Sequence, residues 1–250
     1  MQPLCAFAFH AERLEDDDVW EAVRMTAAWM QSRGVPLTFF VHPLTAIEAG
    51  VDLTPRLAQL ADGGHEIAQH THFYAEHHEG PRGLVKRTDL GEGTVIRCLS
   101  RDFEYLVGAG FRPRGFVAGG WAISPVTFDW LEVHGFRYDC SYRTFGLRYP
   151  NAMAAEGDDA PGPFWRGHVL EIPTTAPLSD EIRRPWTAHA ASSENVRFRI
   201  GYMHDTDLIK RGRGMALRRC RTTITRGYVH VTVGEIASCV EAESDEVPRE

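Results

Sequence analysis

The chain has 250 residues, of which 43% are hydrophobic, so it suits one domain with a substantial core. Its net charge of −7 argues against a nucleic-acid-binding surface, which clusters Lys and Arg on one face. The longest apolar run is far shorter than a membrane span, and the first ten residues lack the basic and apolar regions of a secretory signal. We therefore expect a cytoplasmic protein that binds neither nucleic acid nor membranes.

Short β-type runs alternate with helix-type segments along the chain. The pattern predicts strands at residues 4–9, 37–41, 66–69, 115–118, 137–139, 169–172, 198–202 and 229–233. It predicts helices at residues 16–32, 94–107, 125–133 and 215–225. The alternation indicates an α/β fold, a distorted (β/α) barrel with seven or eight parallel strands that occupies residues 1–240.

Three stretches do not fit this alternation. Residues 76–92 are polar and rich in Gly and His, and residues 143–166 contain Asn, Gly, Asp and Pro, so both are predicted to be loops. Residues 241–250 are acidic and are predicted to form a disordered tail. The sequence leaves the oligomeric state open, a homo-oligomer included.

Polar side chains follow several of the predicted strands. In parallel β/α architectures the C-terminal ends of the strands converge on the active site, so these side chains are expected to share one rim. His42, which follows the second strand, is a further candidate for the pocket lining. The main candidates, in chain order, are His10, Glu12, His70, His72, Tyr74, Gly119, Gly120, Trp121, His204 and Asp205.

The spacing of two histidines points to metal chemistry. His70 and His72 are two residues apart, so on an extended strand end their side chains point the same way. Two imidazoles and one carboxylate are a recurrent ligand set for a catalytic zinc or similar divalent ion. Such an ion polarises a carbonyl and lowers the pKa of bound water towards about 7. The pattern favours a metal-dependent hydrolase.

At this point the sequence resembles a known family, the polysaccharide deacetylases (the NodB-homology or carbohydrate esterase family 4 group). Residues 64–72, GHEIAQHTH, preceded by TFFV at 38–41, resemble the family's second block. Residues 110–121, GFRPRGFVAGGW, resemble the third block, and GFRYDCS at 135–141 resembles the segment after it. The segments LEIP at 170–173, YMHD at 202–205 and VTVGE at 231–235 continue the match in the family's order.

The resemblance implies a distorted barrel, a divalent metal and hydrolysis of acetyl groups on glycans. Carried over by residue, it makes His70 a metal ligand and His204 the general acid that protonates the departing amine. Glu12 lies in the first block, which in the family supplies a base and a metal-binding carboxylate.

The chain departs from the family pattern at three positions. His10 stands where the family has a catalytic Asp, so it is predicted to be either the base or a third imidazole ligand. Tyr74 stands at the position of the family's second ligand histidine, and His72 is our own candidate for that role. Val117 stands where the family often has an Arg that orients the base.

We therefore expect a metal-dependent amide hydrolase that removes an acetyl or other small acyl group from an amino sugar or glycan-related amide. The substrate is a small molecule or oligosaccharide that carries an acylated amine, and the metal is zinc, with cobalt, nickel or iron as alternatives. The predicted roles fall into three groups: metal binding by Glu12, His70 and His72; catalysis by His10, His204 and Asp205; and substrate binding by Tyr74, Gly119, Gly120 and Trp121. Two alternatives remain open: a catalytically lapsed barrel that binds a glycan or protein partner, and a hydrolase of a non-sugar amide in secondary metabolism.

Overall fold

The fold is built on a mostly parallel sheet whose strands alternate with helices along the chain. The computed structural model describes residues 2–73, 91–142, 162–178, 191–193, 196–210 and 227–246. The strands are β1 Leu4–Ala11, β2 Thr38–Val41, β3 Glu66–Thr71, β4 Gly115–Ala118, β5 Tyr138–Asp139, β6 Phe164–Arg166, β7 Val169–Glu171, β8 Ala176–Pro177, β9 Ala191–Ser192, β10 Arg197–His204 and β11 Val229–His230. The helices are α1 Asp17–Gln31, α2 Leu44–Ala49, α3 Thr54–Asp62, α4 Glu92–Gly108, α5 Pro125–Val133, α6 Thr206–Lys210 and α7 Val233–Glu246.

Within these residues the strands form one sheet in the order β6-β7-β5-β4-β3-β2-β1-β10-β8. The strands from β7 to β8 in this order pair in parallel, while β6 pairs antiparallel to β7 and β9 antiparallel to β10. A short β11 pairs in parallel with the start of β1. The predicted distorted barrel is confirmed, as a sheet curled into a half-barrel with helices.

Two neighbouring residues between β7 and β8 hold the two sides of the curled sheet together. The backbone N–H of Thr174 donates to the carbonyl of Tyr142, just after β5, at 2.9 Å, and the N–H of Thr175 donates to the carbonyl of Ile200 in β10 at 3.0 Å. In the sheet order β5 and β10 are separated by four strands. Adjacent residues can bond to both only because the sheet curls round on itself.

The hydrophobic core lies in an inner and an outer layer, as alternation along the strands requires. Ala6 and Ala8 of β1 cluster with Leu170 of β7 and Ile200 of β10, so this group fills the inside of the curl. The alternate residues Phe7 and Phe9 instead cluster with buried side chains of α1 and α3, and β4 residues cluster with α4 and α5. These apolar residues fill the middle of the barrel, and other residues close its two ends.

The N-terminal end of the barrel is closed by a group that we call the basal cluster: Thr38, Glu66, Tyr138 and Gly234. The Glu66 carboxylate accepts hydrogen bonds from the Tyr138 hydroxyl at 2.9 Å, the Thr38 hydroxyl at 2.8 Å and the Gly234 N–H at 3.0 Å. Gly234 lies in the first turn of α7, where backbone N–H groups have no partner within the helix. Glu66 therefore anchors this helix under the sheet.

Each of the eight predicted strands has a counterpart in the sheet, and the helices predicted at residues 16–32, 94–107 and 125–133 correspond to α1, α4 and α5. The helix predicted at residues 215–225 lies outside the described residues. The loop predicted at 143–166 is wrong at its end, since β6 pairs with β7 there and covers its edge. Helices α2 and α3 were not predicted, because each is short and begins without a side-chain cap.

The last helix changes the predicted domain boundary. Helix α7 continues to Glu246, so residues 241–246, predicted as part of a disordered tail, are helical. Ser193 donates to the carboxylate of Glu243 at 2.6 Å, and Arg137 forms a salt bridge with Glu241. These contacts tie the acidic end of the helix to the barrel. No helix in the described part of the chain is long and apolar enough to cross a membrane.

Candidate metal centre

The C-terminal end of the barrel carries a group of ionisable side chains that we call the rim cluster: His10, Glu12, His42, His70, His72 and His204. His10 is the second-last residue of β1, and His204 is the last residue of β10. The two residues pair directly in the register of these strands. Glu12 follows β1, His42 follows β2, and His70 and His72 lie at the end of β3. The structure therefore brings together the predicted metal-binding side chains and both predicted catalytic histidines.

Glu12 lies at the centre of this cluster. Its Oε1 atom is 2.9 Å from Nε2 of His72, 3.2 Å from Nε2 of His70 and 3.7 Å from Nε2 of His204. The three nitrogens come from two strands on opposite sides of β1. One carboxylate oxygen thus faces three imidazoles at the same rim.

The tautomer of His70 is fixed by its second ring nitrogen. Nδ1 of His70 is 2.9 Å from the backbone carbonyl of Val117, and a carbonyl can only accept, so Nδ1 carries the proton. In the neutral ring the lone pair of Nε2 then points at the Glu12 carboxylate. Two acceptors at this distance repel unless a cation, either a proton or a metal, lies with them.

The electrostatics favour the protonation states that a divalent ion needs. Burial would raise the pKa of Glu12, but the hydrogen bonds and charges of His70 and His72 outweigh it and hold that pKa well below its usual range. Burial, with the charge of His70, lowers the pKa of His72 to about 4. Burial likewise lowers the pKa values of His10 and His42 well below the usual value. Glu12 is therefore ionised and His72 neutral near pH 7, the protonation states in which each can bind a metal.

The spacing of the donor atoms fits a metal ion. One ligand atom each from Glu12, His70 and His72 lies within 4.8 Å of the others, and the same holds for His10, Glu12 and His204. A tetrahedral zinc with nitrogen ligands about 2.1 Å away keeps its ligand atoms about 3.4 Å apart. The contacts from Glu12 to His70 and His72, at 3.2 and 2.9 Å, are close to that spacing. The first group is thus a two-histidine, one-carboxylate set.

His10 is enclosed by aromatic rings. Its ring centroid is 4.8 Å from that of His70, 5.1 Å from His204, 5.3 Å from Tyr202 and 5.7 Å from Trp121. Its side chain is buried, and Nε2 has no hydrogen-bond partner among the described residues. Both predicted roles for His10, base and ligand, are consistent with this position.

His204 is the more exposed of the two candidate catalytic histidines. Its side chain is 36% exposed, whereas His10 is only 3% exposed. Burial opposes protonation, but the nearby Asp207 carboxylate and the charge of Glu12 raise the pKa of His204 above the usual value. The Asp207 carboxylate is 3.9 Å from Nδ1 of His204.

Asp205 contacts backbone groups of the site. Its buried carboxylate accepts hydrogen bonds from the backbone N–H groups of Glu12, Arg13 and Thr206, each at 2.7 Å. Burial raises its pKa to about 6. Asp205 was predicted to take part in catalysis; its hydrogen bonds hold the loop that carries Glu12, and Asp207 is the carboxylate beside the His204 ring.

The predicted substrate-binding turn packs against the rim cluster. A Cβ atom on Gly119 would lie 2.3 Å from Cγ of His72, so only glycine lets that imidazole take its position. Trp121 has a φ of 65°, in the left-handed region that side chains rarely adopt, and its ring is buried against His10 and Tyr202. Gly120 lies between them, and Tyr74 lies outside the described residues.

Two contributors were missed at the sequence level. Tyr202 stands two residues before His204 on β10, so strand alternation places it on the same inner face, and this spacing could have identified it. The carbonyl of Val117 could not have been identified, because a backbone acceptor leaves no sequence signal. Val117 occupies the position where the family often has Arg, and here it contributes its main chain.

No protein-family model matches the sequence. A peptidoglycan deacetylase of Helicobacter pylori is 29% identical over 109 residues, which are 43% of this chain and about a third (32%) of that protein. A putative polysaccharide deacetylase of Mycobacterium smegmatis has a similar structure, with a TM-score of 0.63 and 20% identity over 98% of this chain and 92% of the other. A family 4 carbohydrate esterase of Streptomyces lividans gives a TM-score of 0.54 and 14% identity over 92% and 93%. The predicted resemblance is confirmed: part of the chain is similar in sequence to a peptidoglycan deacetylase, and the chain has the fold of the polysaccharide deacetylases named here.

Proposed function

We propose that the protein is a metal-dependent hydrolase that removes an acetyl or other small acyl group from an amino sugar or glycan-related amide. The observation that carries this proposal is the contact of one Glu12 oxygen with Nε2 of both His70 and His72, at 3.2 and 2.9 Å. Since His70 donates through Nδ1 to a carbonyl, its Nε2 is available as a metal ligand. The names of the relatives, polysaccharide and peptidoglycan deacetylases, support the substrate class.

The metal would be held by Glu12, His70 and His72. A divalent ion in this set, zinc or alternatively cobalt, nickel or iron, supplies Lewis acidity for a carbonyl and lowers the pKa of water towards about 7. Neighbouring residues hold these three side chains in place. Val117 fixes the ring of His70, Gly119 admits the ring of His72, and Asp205 holds the backbone at Glu12.

The two histidines of the predicted catalytic set, His10 and His204, each carry out one proton transfer. His10 is buried beside His70 and takes a proton from the attacking water at its unpartnered Nε2. His204 lies at the exposed side of the cluster and gives a proton to the departing amine. Asp207, 3.9 Å from Nδ1 of His204, stabilises the protonated ring. Trp121 closes the inner wall behind His10 and excludes water there.

The substrate would enter from the exposed side of the rim. We assign its sugar to the turn at Gly119, Gly120 and Trp121 and to Tyr74, as the sequence predicts. Because Trp121 is only 7% exposed and lies beside His10 and Tyr202, little of its ring is available for contact with the substrate.

The test strips the protein with a chelator, reloads it with zinc, and measures acetate released from N-acetylated chitooligosaccharides. We expect zinc to restore activity in the wild type and His70→Ala to lose both bound zinc and activity. His168→Ala is the matched control, because that side chain is 90% exposed and lies near Glu132, away from the rim. Full activity of His70→Ala would overturn the proposal. Tight zinc binding with no hydrolysis of any acylated amine would favour the lapsed glycan-binding alternative.

A further inference from the structure

We propose that the rim cluster binds a second divalent cation, at His10, Glu12 and His204, and that this cation inhibits hydrolysis when metal is in excess. The proposal rests on the proposed function for its first site, at Glu12, His70 and His72. It adds a second site that shares Glu12 with the first.

The geometry gives the second site three donors. One atom each from His10, Glu12 and His204 lies within 4.8 Å of the others, and Nε2 of His204 is 3.7 Å from Oε1 of Glu12. His10 and His204 are opposed on the parallel strands β1 and β10, so the backbone fixes their separation. Two imidazoles and a carboxylate form the same kind of set as the first site.

An unpartnered buried atom supplies an independent reason. The His10 side chain is only 3% exposed, and its Nε2 has no hydrogen-bond partner among the described residues. A buried polar atom without a partner is rare and calls for a ligand, a water or an ion. A cation between His10 and His204 would satisfy this nitrogen, since their ring centroids are 5.1 Å apart.

A shared carboxylate sets the order in which the two ions bind. Pairs of metal ions in hydrolases are typically about 3.5–4 Å apart, a distance that one bridging carboxylate spans. The first ion uses the charge of Glu12, so the second meets a repelling neighbour and is expected to bind at least about tenfold more weakly. At low metal only the first site fills, and His10 and His204 stay available for proton transfer. At high metal both nitrogens are occupied, and turnover falls.

The test titrates metal-free protein with zinc by calorimetry and follows acetate release over the same zinc range. We expect two equivalents in the wild type, with activity rising over the first and falling over the second. His10→Ala and His204→Ala should each bind one equivalent, and circular dichroism should verify that they fold. His42→Ala is the matched control for stoichiometry, because it removes a buried imidazole of the cluster that belongs to neither donor set and should still bind two.

The outcomes separate this proposal from the first. One equivalent in the wild type, lost in His70→Ala, overturns the second site and leaves the proposed function intact. Two equivalents that persist in His10→Ala and His204→Ala also overturn it, because the second ion then binds elsewhere. No zinc binding in the wild type overturns both. With cobalt in place of zinc, magnetic coupling between the two ions in the wild type, absent in His10→Ala, would support the shared Glu12 bridge.

Discussion

The two ends of the barrel each hold a carboxylate among polar partners, and they differ in what faces that carboxylate. In the basal cluster Glu66 accepts hydrogen bonds from two hydroxyls and a backbone N–H, so donors surround an acceptor. In the rim cluster the Glu12 side chain meets imidazole nitrogens, and in the neutral His70 ring Nε2 presents a lone pair to it. The first arrangement is complete by itself, whereas the second needs a cation.

Glycines make both arrangements possible, and both are at the ends of β4. A Cβ on Gly115 would lie 2.0 Å from Cζ of Tyr138, and a Cβ on Gly119 would lie 2.3 Å from Cγ of His72. One glycine therefore admits a ring that donates to a carboxylate, and the other admits a ring of the proposed metal site. Similar packing constraints thus serve stability at one end of the barrel and the proposed metal site at the other.

We expect the largest difference between the two ends of the barrel in zinc affinity, when either carboxylate is replaced by an amide. Glu12→Gln should weaken zinc binding by more than about 100-fold, since even residues that only support a ligand contribute about 10–100-fold. Glu66→Gln should leave zinc affinity unchanged, because Glu66 contacts α7 and lies at the opposite end of the barrel. Competition with a fluorescent zinc chelator measures both. Equal losses of zinc affinity in the two variants would contradict the proposed difference between Glu12 and Glu66.

The second prediction concerns the two glycines. Gly115→Ala should lower the free energy of unfolding by about 3 kcal/mol, because overpacking against the buried Tyr138 ring forces a backbone shift. Gly119→Ala should displace His72 and weaken zinc binding about 10–100-fold, as the loss of a supporting residue does. Denaturant unfolding of the metal-free proteins and chelator competition give the two values. Normal zinc affinity in Gly119→Ala would contradict the role of His72 as a ligand.

The third prediction tests the support of Glu12. Asp205→Asn keeps the size of the side chain but replaces one acceptor oxygen with a donor that faces backbone N–H groups. We expect a loss of about 1–3 kcal/mol in stability, the cost of an unsatisfied buried group. Zinc affinity should fall about tenfold, since the loop at Glu12 loosens. Asp207→Asn is the control, because Asp207 faces His204 and should leave the first zinc site unchanged.

The smallest effect is a pH dependence at the basal cluster. Burial, the main cause, raises the pKa of Glu66, so the folded state holds its proton more tightly than the unfolded state. Its contribution to stability is complete below the unfolded pKa, near about 4.3, and is lost as the pH rises through the folded pKa. The stability difference between wild type and Glu66→Gln should therefore fall by up to about 1.4 kcal/mol per pH unit in that window. A difference that grows with pH would contradict this sign.

The sequence predicted the candidate site well where ionisable side chains directly follow a predicted strand. His10, Glu12, His70, His72 and His204 follow apolar runs, so the barrel rule alone predicted their convergence. The partners of Asp205 could not be predicted, because they are backbone N–H groups of a loop nearly 200 residues away in the chain. Helix α7 was also missed, since its acidic C-terminal half has the composition of a free tail and is held by tertiary contacts.

The most direct test of the central claim is a crystal structure of the zinc-loaded protein with an anomalous difference map at the zinc absorption edge. We expect a strong peak about 2.0–2.2 Å from a carboxylate oxygen of Glu12 and from Nε2 of His70 and His72. No peak at the rim, in crystals shown by fluorescence to contain zinc, would contradict the claim that Glu12, His70 and His72 form a metal centre.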